Sequence, residues 1–566
     1  MLAVLARFLP GRKDYNFGYF KEDLLAGLTV AVVALPLALA FGVSSGAGAA
    51  AGLYTAIVAG VLAAAFGGSN LQVSGPTGAM TVVLLPIVAR YGAGTLLFVG
   101  ALAGLILIAF AFSGVGRYVN YIPWPVVAGF TSGIAVIIFL QQLPGVLGVA
   151  SAHGESIVPL ALEAVRGYAV APTLPPLLLG SMTVVLMLLW GRVRALRAVP
   201  ASMAALLAVT LLSLLPAFGN VPRIGSIPVG LPLPSIPAIP AADMGELLRA
   251  ALAVAVLAAL ESLLSAMVAD GMTQGPRSDP NRELFGQGIA NLGAAVFGGV
   301  PATAALARTA VNVRSGARTR LAAMIHGFTL LIIVLFLGSL AGAVPLAVLA
   351  GILMVVAVRM VEPHALRLIL RASKADGFVL LLTFAVTIAF DLILAIEIGL
   401  VAAGILFIVR VSRLFSVQVQ AEEPLVADDR AQPLPREVVT YRIDGPVFFG
   451  AANRFLDQLT KSVGDIRFVV LRMRRVPLMD VTGASALEAL SEHLSRRRIV
   501  LLVAGLQPQP EQLLRRSGLL ARLAAAGHHL FPTTDEAIAY ARRQLEDADD
   551  RQEQSRRVNA AVTSGD

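Results

Sequence analysis

The sequence predicts a polytopic α-helical membrane protein with a C-terminal cytoplasmic α/β domain. Of its 566 residues, 57% are hydrophobic and only 14% are charged, and the mean hydropathy is +0.79. A soluble domain carries about 25% charged residues. About fourteen apolar segments precede residue 413, and beyond it short β-branched runs alternate with amphipathic stretches. These observations indicate a membrane domain followed by a smaller soluble one.

Composition also excludes several classes of protein. There is no cysteine, which excludes disulfides and thiol-based metal sites. The net charge of +9 fits arginine-rich cytoplasmic loops, and no long basic run or aromatic-basic patch favours nucleic-acid binding. No histidine has a ligand partner at metal spacing, so we expect no metal and no cofactor. No nucleophile–base set or phosphate-binding loop is present, which argues against an enzyme or a primary pump.

The apolar segments form two groups of seven. The first apolar run is long enough to span and no clear cleavage site follows it, so we interpret it as a retained helix. The first group comprises Leu24–Phe41, Ala50–Phe66, Thr77–Ala89, Leu96–Phe112, Val126–Leu143, Leu177–Trp190 and Met203–Leu215. The second comprises Leu247–Ala269, Leu284–Phe297, Ala302–Val313, Leu321–Ala343, Pro345–Val358, Gly377–Phe390 and Leu392–Val409. A proline-rich external connection, 221–241, separates the groups.

Domain boundaries follow from these patterns. We expect a cytoplasmic N-terminal segment 1–22, a membrane domain 23–413 with repeats at about 23–217 and 245–413, a polar linker 414–436, a soluble domain 437–545 and a disordered tail 546–566. Arginine bias places both termini in the cytoplasm, because the loops around 192–197, 277–282, 314–320 and 359–374 are the basic ones. The lipid bilayer is therefore the first predicted partner.

Each group contains one short segment that begins at a proline break followed by threonine. The breaks are Gly75-Pro76-Thr77 and Val300-Pro301-Ala302-Thr303. Interrupted segments at matching positions in two halves indicate the binding site of an inverted-repeat transporter. The alternative, that both breaks are only packing kinks, would leave them without a ligand. A helix that begins inside the membrane offers unpaired amides and a positive dipole end to an anion. The candidate anion-contacting residues are Thr77, Gly78, Ala79, Ala302, Thr303, Ala304 and Ala305.

Three polar residues in the second group are candidates for coupling or charge compensation. Glu261 is an intramembrane carboxylate, which costs about 3 kcal/mol on insertion scales unless it is neutral or paired. Ser265 lies one turn further along the same helix face. Arg308 either neutralises a bound anion, pairs with Glu261, or belongs with Arg314 to the cytoplasmic end. We expect Glu261 to bind a proton or another cation.

The soluble domain has its own signals. Val438–Ile443, Ile466–Met473 and Ile499–Ala504 are predicted strands. Asn453–Val463, Val481–Arg497, Pro510–Ser517 and 535–545 are predicted helices, the last capped by Thr533 or Thr534 with Glu536.

Several of these motifs together resemble the sulfate permease (SulP) family of anion transporters. The residues that carry the resemblance are Leu24–Gly27, 34–42, Gly52-Leu53-Tyr54, 75–78 and Ala307-Arg308-Thr309-Ala310-Val311-Asn312. The resemblance covers about residues 20–545, and the first two spans are most similar to the cyanobacterial sodium-dependent bicarbonate transporters of this family. It implies a 7+7 inverted-repeat, uracil-permease-like fold, a C-terminal STAS domain and a homodimer in the bacterial inner membrane. It also implies a small inorganic anion as substrate.

The resemblance assigns roles to individual positions. Thr77 matches a substrate-contacting position, and Glu261 and Ser265 match positions of a sodium site; Phe41, in the 34–42 motif, is a further candidate for substrate binding. Leu306 stands where a further cation-binding threonine is expected, and Arg308 stands where the bicarbonate transporters have a small residue. These departures favour proton coupling through Glu261, or plain exchange, over sodium coupling.

The STAS-like domain contains Asp480-Val481-Thr482-Gly483, which is similar to a phosphoacceptor turn. Thr482 is therefore a candidate regulatory site, although Asp480 or Thr482 also serves as a helix N-cap.

A secondary anion transporter is thus the leading hypothesis. A dicarboxylate transporter, an uncoupled anion channel or exchanger, and an anion-sensing receptor that signals through the STAS domain remain alternatives.

Overall fold

The computed structural model describes residues 17–149, 157–192, 199–239, 244–390, 392–412, 416–420, 434–448 and 466–563. The chain divides into two compact units, Met1–Ala403 and Gly404–Asp566. The predicted helix Asn453–Val463, most of the N-terminal segment 1–22 and most of the linker 414–436 lie outside the described residues.

The first unit is a helical bundle, and its helices fall into two groups along the chain. The helices of the first half are α1 (Phe20–Ser44), α2 (Ala49–Phe66), α3 (Gly78–Tyr91), α4 (Thr95–Ser113), α5 (Trp124–Gln141), α6 (Leu143–Leu147), α7 (Ile157–Val170), α8 (Leu174–Trp190) and α9 (Ala201–Leu212). Those of the second half are α10 (Met244–Gly271), α11 (Pro280–Val296), α12 (Leu306–Arg314), α13 (Leu321–Gly342), α14 (Leu346–Met360), α15 (Pro363–Ala372), α16 (Lys374–Ala389) and α17 (Leu392–Ser412), the last of which continues past Ala403 into the second unit.

Each of the fourteen predicted segments coincides with one of these helices. In the described part of the chain, eight helical stretches are long and apolar enough to cross a membrane, and α3, α8 and α9 are shorter apolar helices. Helices α6, α7 and α15 lie in stretches that the sequence left as connections. Helix α12 begins at Leu306, four residues later than predicted, because residues 303–304 form a strand instead.

Close helix packing depends on small residues, as expected inside a membrane. Helices α4 and α11 approach each other at Gly104 and Gly288. A Cβ added at Gly104 would lie 2.7 Å from the Gly288 carbonyl oxygen, and one added at Gly288 would lie 2.7 Å from the Gly104 carbonyl oxygen. Any larger residue would therefore separate these two helices.

The proline-rich connection is extended, as predicted. It packs along the α13–α14 junction, where the backbone amides of Ile224 and Gly225 donate to the carbonyls of Val344 and Gly342. The side chain of Arg223 donates to the Ala343 carbonyl as well. These contacts keep the connection on one end of the bundle.

The second unit is an α/β domain with a five-stranded sheet in the order β3-β4-β5-β6-β7. The strands are β3 (Ser416–Gln420), β4 (Val438–Asp444), β5 (Phe468–Arg475), β6 (Val500–Ala504) and β7 (His529–Phe531). Strand β3 is antiparallel to β4, and the other pairs are parallel. The helices are α18 (Val481–Arg496), α19 (Pro508–Arg516), α20 (Leu519–Ala525) and α21 (Thr534–Thr563).

Both faces of this sheet are buried because successive side chains point to opposite sides. Val469 and Leu471 pack with α18 through Leu487, whereas Val470 packs with α21 through Ile538. The three strands predicted from the sequence are confirmed, and β3 and β7 were missed.

Two boundaries of the sequence-based domain scheme are wrong. The linker 414–436 contains β3, whose alternating Val-Gln sequence is strand-like but becomes a strand only by pairing with β4. The tail 546–566 is not disordered from its start, because α21 continues to Thr563. Its Glu, Arg, Gln and Ala residues are good helix formers, which outweighs the high charge.

Candidate functional site

The two proline breaks meet at the centre of the membrane unit. Residues Ser74–Gly75 form strand β1 and Thr303–Ala304 form strand β2. The strands pair antiparallel, with Ser74 opposite Ala304 and Gly75 opposite Thr303. All four residues are buried. The matched breaks therefore lie side by side, and each strand is followed within two residues by a helix, α3 or α12.

Helix α10 supports the strand pair from one side. The Ser262 hydroxyl lies 3.0 Å from the Thr303 hydroxyl and accepts a hydrogen bond from the Ala304 amide. Thr303 also donates to the Ala258 carbonyl. The Thr303 hydroxyl is thus used within the protein, so its contribution is to hold β2 in place.

Helix α11 supports the pair from another side through a polar stripe at positions 283, 287 and 291. Gln287 donates to the Ser74 hydroxyl at 2.7 Å. Asn291 donates to the Ala302 carbonyl and accepts from the Ala302 amide. Glu283 accepts from the backbone amides of Gly68 and Ser69. This stripe was not predicted, although the i, i+4, i+8 spacing of polar residues in an apolar segment is a signal that reveals it.

The free backbone donors lie in the first turns of the two broken helices. The first hydrogen bond of α3 runs from the Thr81 amide to the Thr77 carbonyl, so the amides of Gly78, Ala79 and Met80 have no acceptor within the helix. In α12 the first such bond joins Thr309 to Ala305. The first turn of each broken helix therefore lacks acceptors within its own helix for its opening amides.

The amides of three predicted anion-contacting residues have other partners. Ala302 donates to Asn291 and Ala304 donates to Ser262. Ala305 donates to the Val73 carbonyl at 2.9 Å. These small residues therefore permit close packing of the strand pair, and the donors of the second half begin at α12.

Arg308 joins the two breaks. Its side chain is 1% exposed, and its Nη2 donates to the carbonyl of Pro76 in the other half. Its Nη1 is buried without a hydrogen-bond partner and faces Gly75, where an added Cβ would lie 2.6 Å away. Arg308 thus belongs to the centre of the bundle, and the interpretation that groups it with Arg314 at the helix end is wrong. A buried guanidinium with a free N–H is suited to an anion.

Glu261 is linked directly to the other half. The Thr77 hydroxyl donates to Glu261 Oε2 at 3.0 Å, although the two residues are 184 positions apart. Ser265 does not complete this group, because its hydroxyl donates to Thr309 at 3.2 Å. Thr309 in turn accepts from the Val73 amide. The structure therefore joins the predicted coupling residue to a predicted anion-binding residue.

Phe41 lies against the start of α3. A Cβ added at Gly78 would lie 3.3 Å from Cε1 of Phe41 and 2.3 Å from Cδ1 of Ile138. Both side chains are buried, and Ala79 beside them is 1% exposed. A side chain at position 78 would therefore clash with Ile138, so the packing at the start of α3 requires glycine.

A cavity of about 220 Å³ lies on the face of α10 that carries Glu261, one helical turn before that residue. Its lining is apolar except for Glu397 of α17. The other lining residues are Val83, Phe130, Leu252, Ala253, Val256, Leu257 and Ile396.

The phosphoacceptor-like turn of the second unit is an N-cap. Asp480 accepts from the Gly483 amide at 2.8 Å, which caps α18. Thr482 is exposed in the first turn of that helix. The capping interpretation is confirmed for Asp480, and the regulatory role of Thr482 stays a prediction.

No group of three or more potential metal ligands occurs in the part of the chain that the structure describes.

The chain matches two known families over most of its length. Residues 20–383 match the sulfate permease family, and residues 432–537 match the STAS domain. The putative sulfate transporter YvdB of Bacillus subtilis is 38% identical over 542 residues, which cover 94% of this chain and 99% of that protein. The bicarbonate transporter BicA of Picosynechococcus is 33% identical over 532 residues, or 90% and 92% of the two chains.

Two solved structures are similar to this one. The transmembrane domain of a cyanobacterial bicarbonate transporter BicA is 36% identical, with a TM-score of 0.61 over 69% of this chain and 98% of that one. The murine Slc26a9 anion transporter in its inward-facing state is 19% identical, with a TM-score of 0.84 over 96% of this chain and 95% of that one. The second likeness concerns the fold alone.

Proposed function

Because the chain belongs to the sulfate permease family, we propose that it is a secondary transporter of a small inorganic anion of the sulfate or bicarbonate type. The sulfate and bicarbonate names of its relatives support this substrate class. It acts by alternating access in the bacterial inner membrane, as a homodimer with both termini in the cytoplasm.

The observation that carries the proposal is the antiparallel β1–β2 pair with a helix starting at each strand. The anion binds between the starts of α3 and α12. Donors come from the amides of Gly78 and Ala79 and from the free Nη1 of Arg308. Phe41 forms an apolar wall, and Thr77 adds a hydroxyl. No metal or cofactor takes part in this binding.

Glu261 couples transport to a proton or to sodium. It is partly buried at the level of the breaks and touches the anion site through Thr77. An ionised carboxylate beside a bound anion is repulsive, so occupancy of Glu261 by a cation and occupancy of the anion site favour each other. Leu306, which is 44% exposed, supplies no oxygen ligand, which favours the proton.

The decisive experiment is flux into proteoliposomes that contain the purified protein. Labelled sulfate, bicarbonate and a dicarboxylate are compared under imposed proton gradients and under imposed sodium gradients. We expect accumulation of sulfate or bicarbonate driven by one of the two gradients. Uptake without any gradient dependence would favour a channel or exchanger, and preference for the dicarboxylate would change the substrate class.

Substitution of the coupling residue tests the role of Glu261. Glu261→Gln removes the ionisable group but keeps the side-chain volume. We expect it to lose gradient-driven uptake while it retains anion exchange. Glu397→Gln is the matched control, because it removes an intramembrane carboxylate that does not bond to Thr77. Full gradient-driven uptake by Glu261→Gln would refute the coupling role.

A further inference from the structure

Thr77 is an N-cap residue whose side chain does not cap its helix. It has an extended backbone at the start of α3, with φ −130° and ψ 162°. An N-cap threonine normally accepts a hydrogen bond from an amide of the first turn. Here the side chain makes no such bond, and its hydroxyl proton is directed to Glu261 Oε2 at 3.0 Å. The arrangement leaves the first-turn amides free and commits the threonine proton to the carboxylate.

A hydroxyl has one proton to donate and two lone pairs that accept. An ionised carboxylate is an acceptor only, so Thr77 must donate to Glu261 whenever Glu261 is charged. Sulfate at the start of α3 is also an acceptor only, as are the two charge-bearing oxygens of bicarbonate. The carboxylate and the anion therefore compete for a single proton, that of Thr77.

A cation on Glu261 ends this competition. When Glu261 is protonated, its own O–H donates to Thr77 Oγ1, and the Thr77 hydroxyl rotates to present its proton to the anion. Sodium at Glu261 has the same effect, because the ion takes the lone pairs of Thr77 Oγ1 and turns the O–H away. No covalent bond of Thr77 is broken in either case.

We propose that Thr77 is the coupling switch of the transporter: its one hydroxyl proton is held by ionised Glu261 and is released to the anion when a cation occupies Glu261. This inference rests on the proposed function and specifies how cation binding at Glu261 changes the affinity of the anion site. The charged side chain nearest the pair is Arg308, which donates to Pro76, next to Thr77. Helix α3 adds only Arg90, and α10 adds Glu246 and Arg249 near one end and Asp270 near the other. Helix α1 adds Lys21, Glu22 and Asp23 in its first turn, and Asp23 accepts from the amides of Arg318 and Thr319 ahead of α13.

The test is equilibrium binding of labelled sulfate to the purified full-length protein. Sulfate keeps its charge between mildly acidic and mildly alkaline pH, so a change in affinity reports on the protein. For the wild type we expect about tenfold tighter binding at acidic pH, within the usual range of coupling between two sites. Repeating the alkaline measurement with sodium and with choline shows whether sodium replaces the proton.

Two variants separate the hydroxyl from the shape of the side chain. Thr77→Ser keeps the donor, and we expect it to retain the dependence on pH or sodium. Thr77→Val has the same shape without the hydroxyl, and we expect its affinity to change less than about twofold with pH. Wild-type dependence in Thr77→Val would overturn the proposal.

A third variant keeps the proposal testable if Thr77→Val fails to fold or to bind. In Glu261→Gln the side-chain NH2 is able to donate to Thr77 Oγ1 at every pH and so imitates the protonated acid. It should bind sulfate at alkaline pH about as tightly as the wild type does at acidic pH. Weaker binding than that of the wild type at alkaline pH would contradict the switch. If no variant and no wild-type preparation binds or transports any tested anion, the proposed function itself fails.

Discussion

At the scale of single residues, the site depends on a few side chains with unusual partners. Arg308 donates to the Pro76 carbonyl in the other half, and the Thr77 side chain donates to Glu261 and does not cap its own helix. Gly75 is required beside Arg308, because even a methyl group there would lie 2.6 Å from the guanidinium. Each of these residues acts through a contact with the opposite half of the chain.

Arg308→Ala should weaken divalent anions more than monovalent ones. The free Nη1 of Arg308 is the nearest buried positive charge to the proposed anion, and its attraction scales with the charge of the ligand. We expect a loss of about tenfold or more in sulfate affinity and a smaller loss for bicarbonate, measured by concentration-dependent uptake. Arg314→Ala, at the exposed end of the same helix, is the control. An equal loss for every anion would make Arg308 a structural residue.

At the scale of secondary-structure elements, α10 and α11 hold the strand pair between them. Polar side chains on both helices satisfy the backbone groups that the breaks leave unpaired. In the second unit, β6 is held in a similar way by His528, whose Nδ1 accepts from the Leu501 amide at 3.0 Å. In both units a buried side chain replaces a missing backbone partner.

Asn291→Leu should destabilise the membrane unit. The substitution keeps the volume but leaves the buried N–H and C=O of Ala302 without partners, at a cost of about 1–3 kcal/mol for each group. We expect a lower thermal unfolding temperature in detergent together with reduced transport. Asn220→Ala, at an exposed position, should leave both unchanged. An unaltered unfolding temperature in Asn291→Leu would show that the strand pair does not need this support.

The second unit should lose stability as the pH falls below about 6.5. Burial lowers the pKa of His528 in the folded state, so the unfolded state binds a proton at this residue more readily than the folded state does. Stability is therefore greatest above the usual histidine range and declines below it. Hydrogen exchange of the β6 amides, corrected for the intrinsic effect of pH, measures the decline.

His528→Gln should remove this part of the pH dependence. His529→Gln, which replaces the neighbouring exposed histidine, should preserve it. An identical pH slope in His528→Gln and in the wild type would rule out His528 as the cause.

At the scale of the whole molecule, the arginine-rich loops predict the orientation of the chain in the membrane, which labelling can measure. The natural chain has no cysteine, so each introduced cysteine is the only target. Gly94→Cys and Gly275→Cys form a matched pair, because the space around each position accommodates a side chain. With the termini in the cytoplasm, a membrane-impermeant maleimide should label position 94 in intact cells and position 275 only after permeabilisation. The reverse result would invert the proposed orientation.

Much of this architecture could be predicted from the sequence because hydrophobic length and periodicity are local properties. The fourteen segments, the position of the two breaks and three strands of the second unit all follow from stretches of about twenty residues or fewer. Glu261 and Thr77 were recognisable one at a time, as a carboxylate in an apolar segment and as a threonine after a proline.

Other features depend on which segments meet. Strand β3 forms only by pairing with β4, and Gln287 and Asn291 have their hydrogen-bond partners only because the β1–β2 pair lies beside α11. The amides of Ala302, Ala304 and Ala305 were predicted as free donors, yet the fold gives each an acceptor. Hydrogen bonds between residues far apart in sequence leave no local pattern, so these partners could not be assigned in advance.

The sequence by itself determined that this chain spans a membrane in two similar halves, each with an interrupted segment. It also identified Glu261 and Arg308 as charged residues in apolar segments, where an unpaired charge is costly. Only the tertiary structure decided what those charges do, because it brings Thr77 to Glu261 and Arg308 to Pro76 across the two halves. The physical reason is that charge and hydropathy are properties of single residues, whereas a shared proton requires two residues in contact.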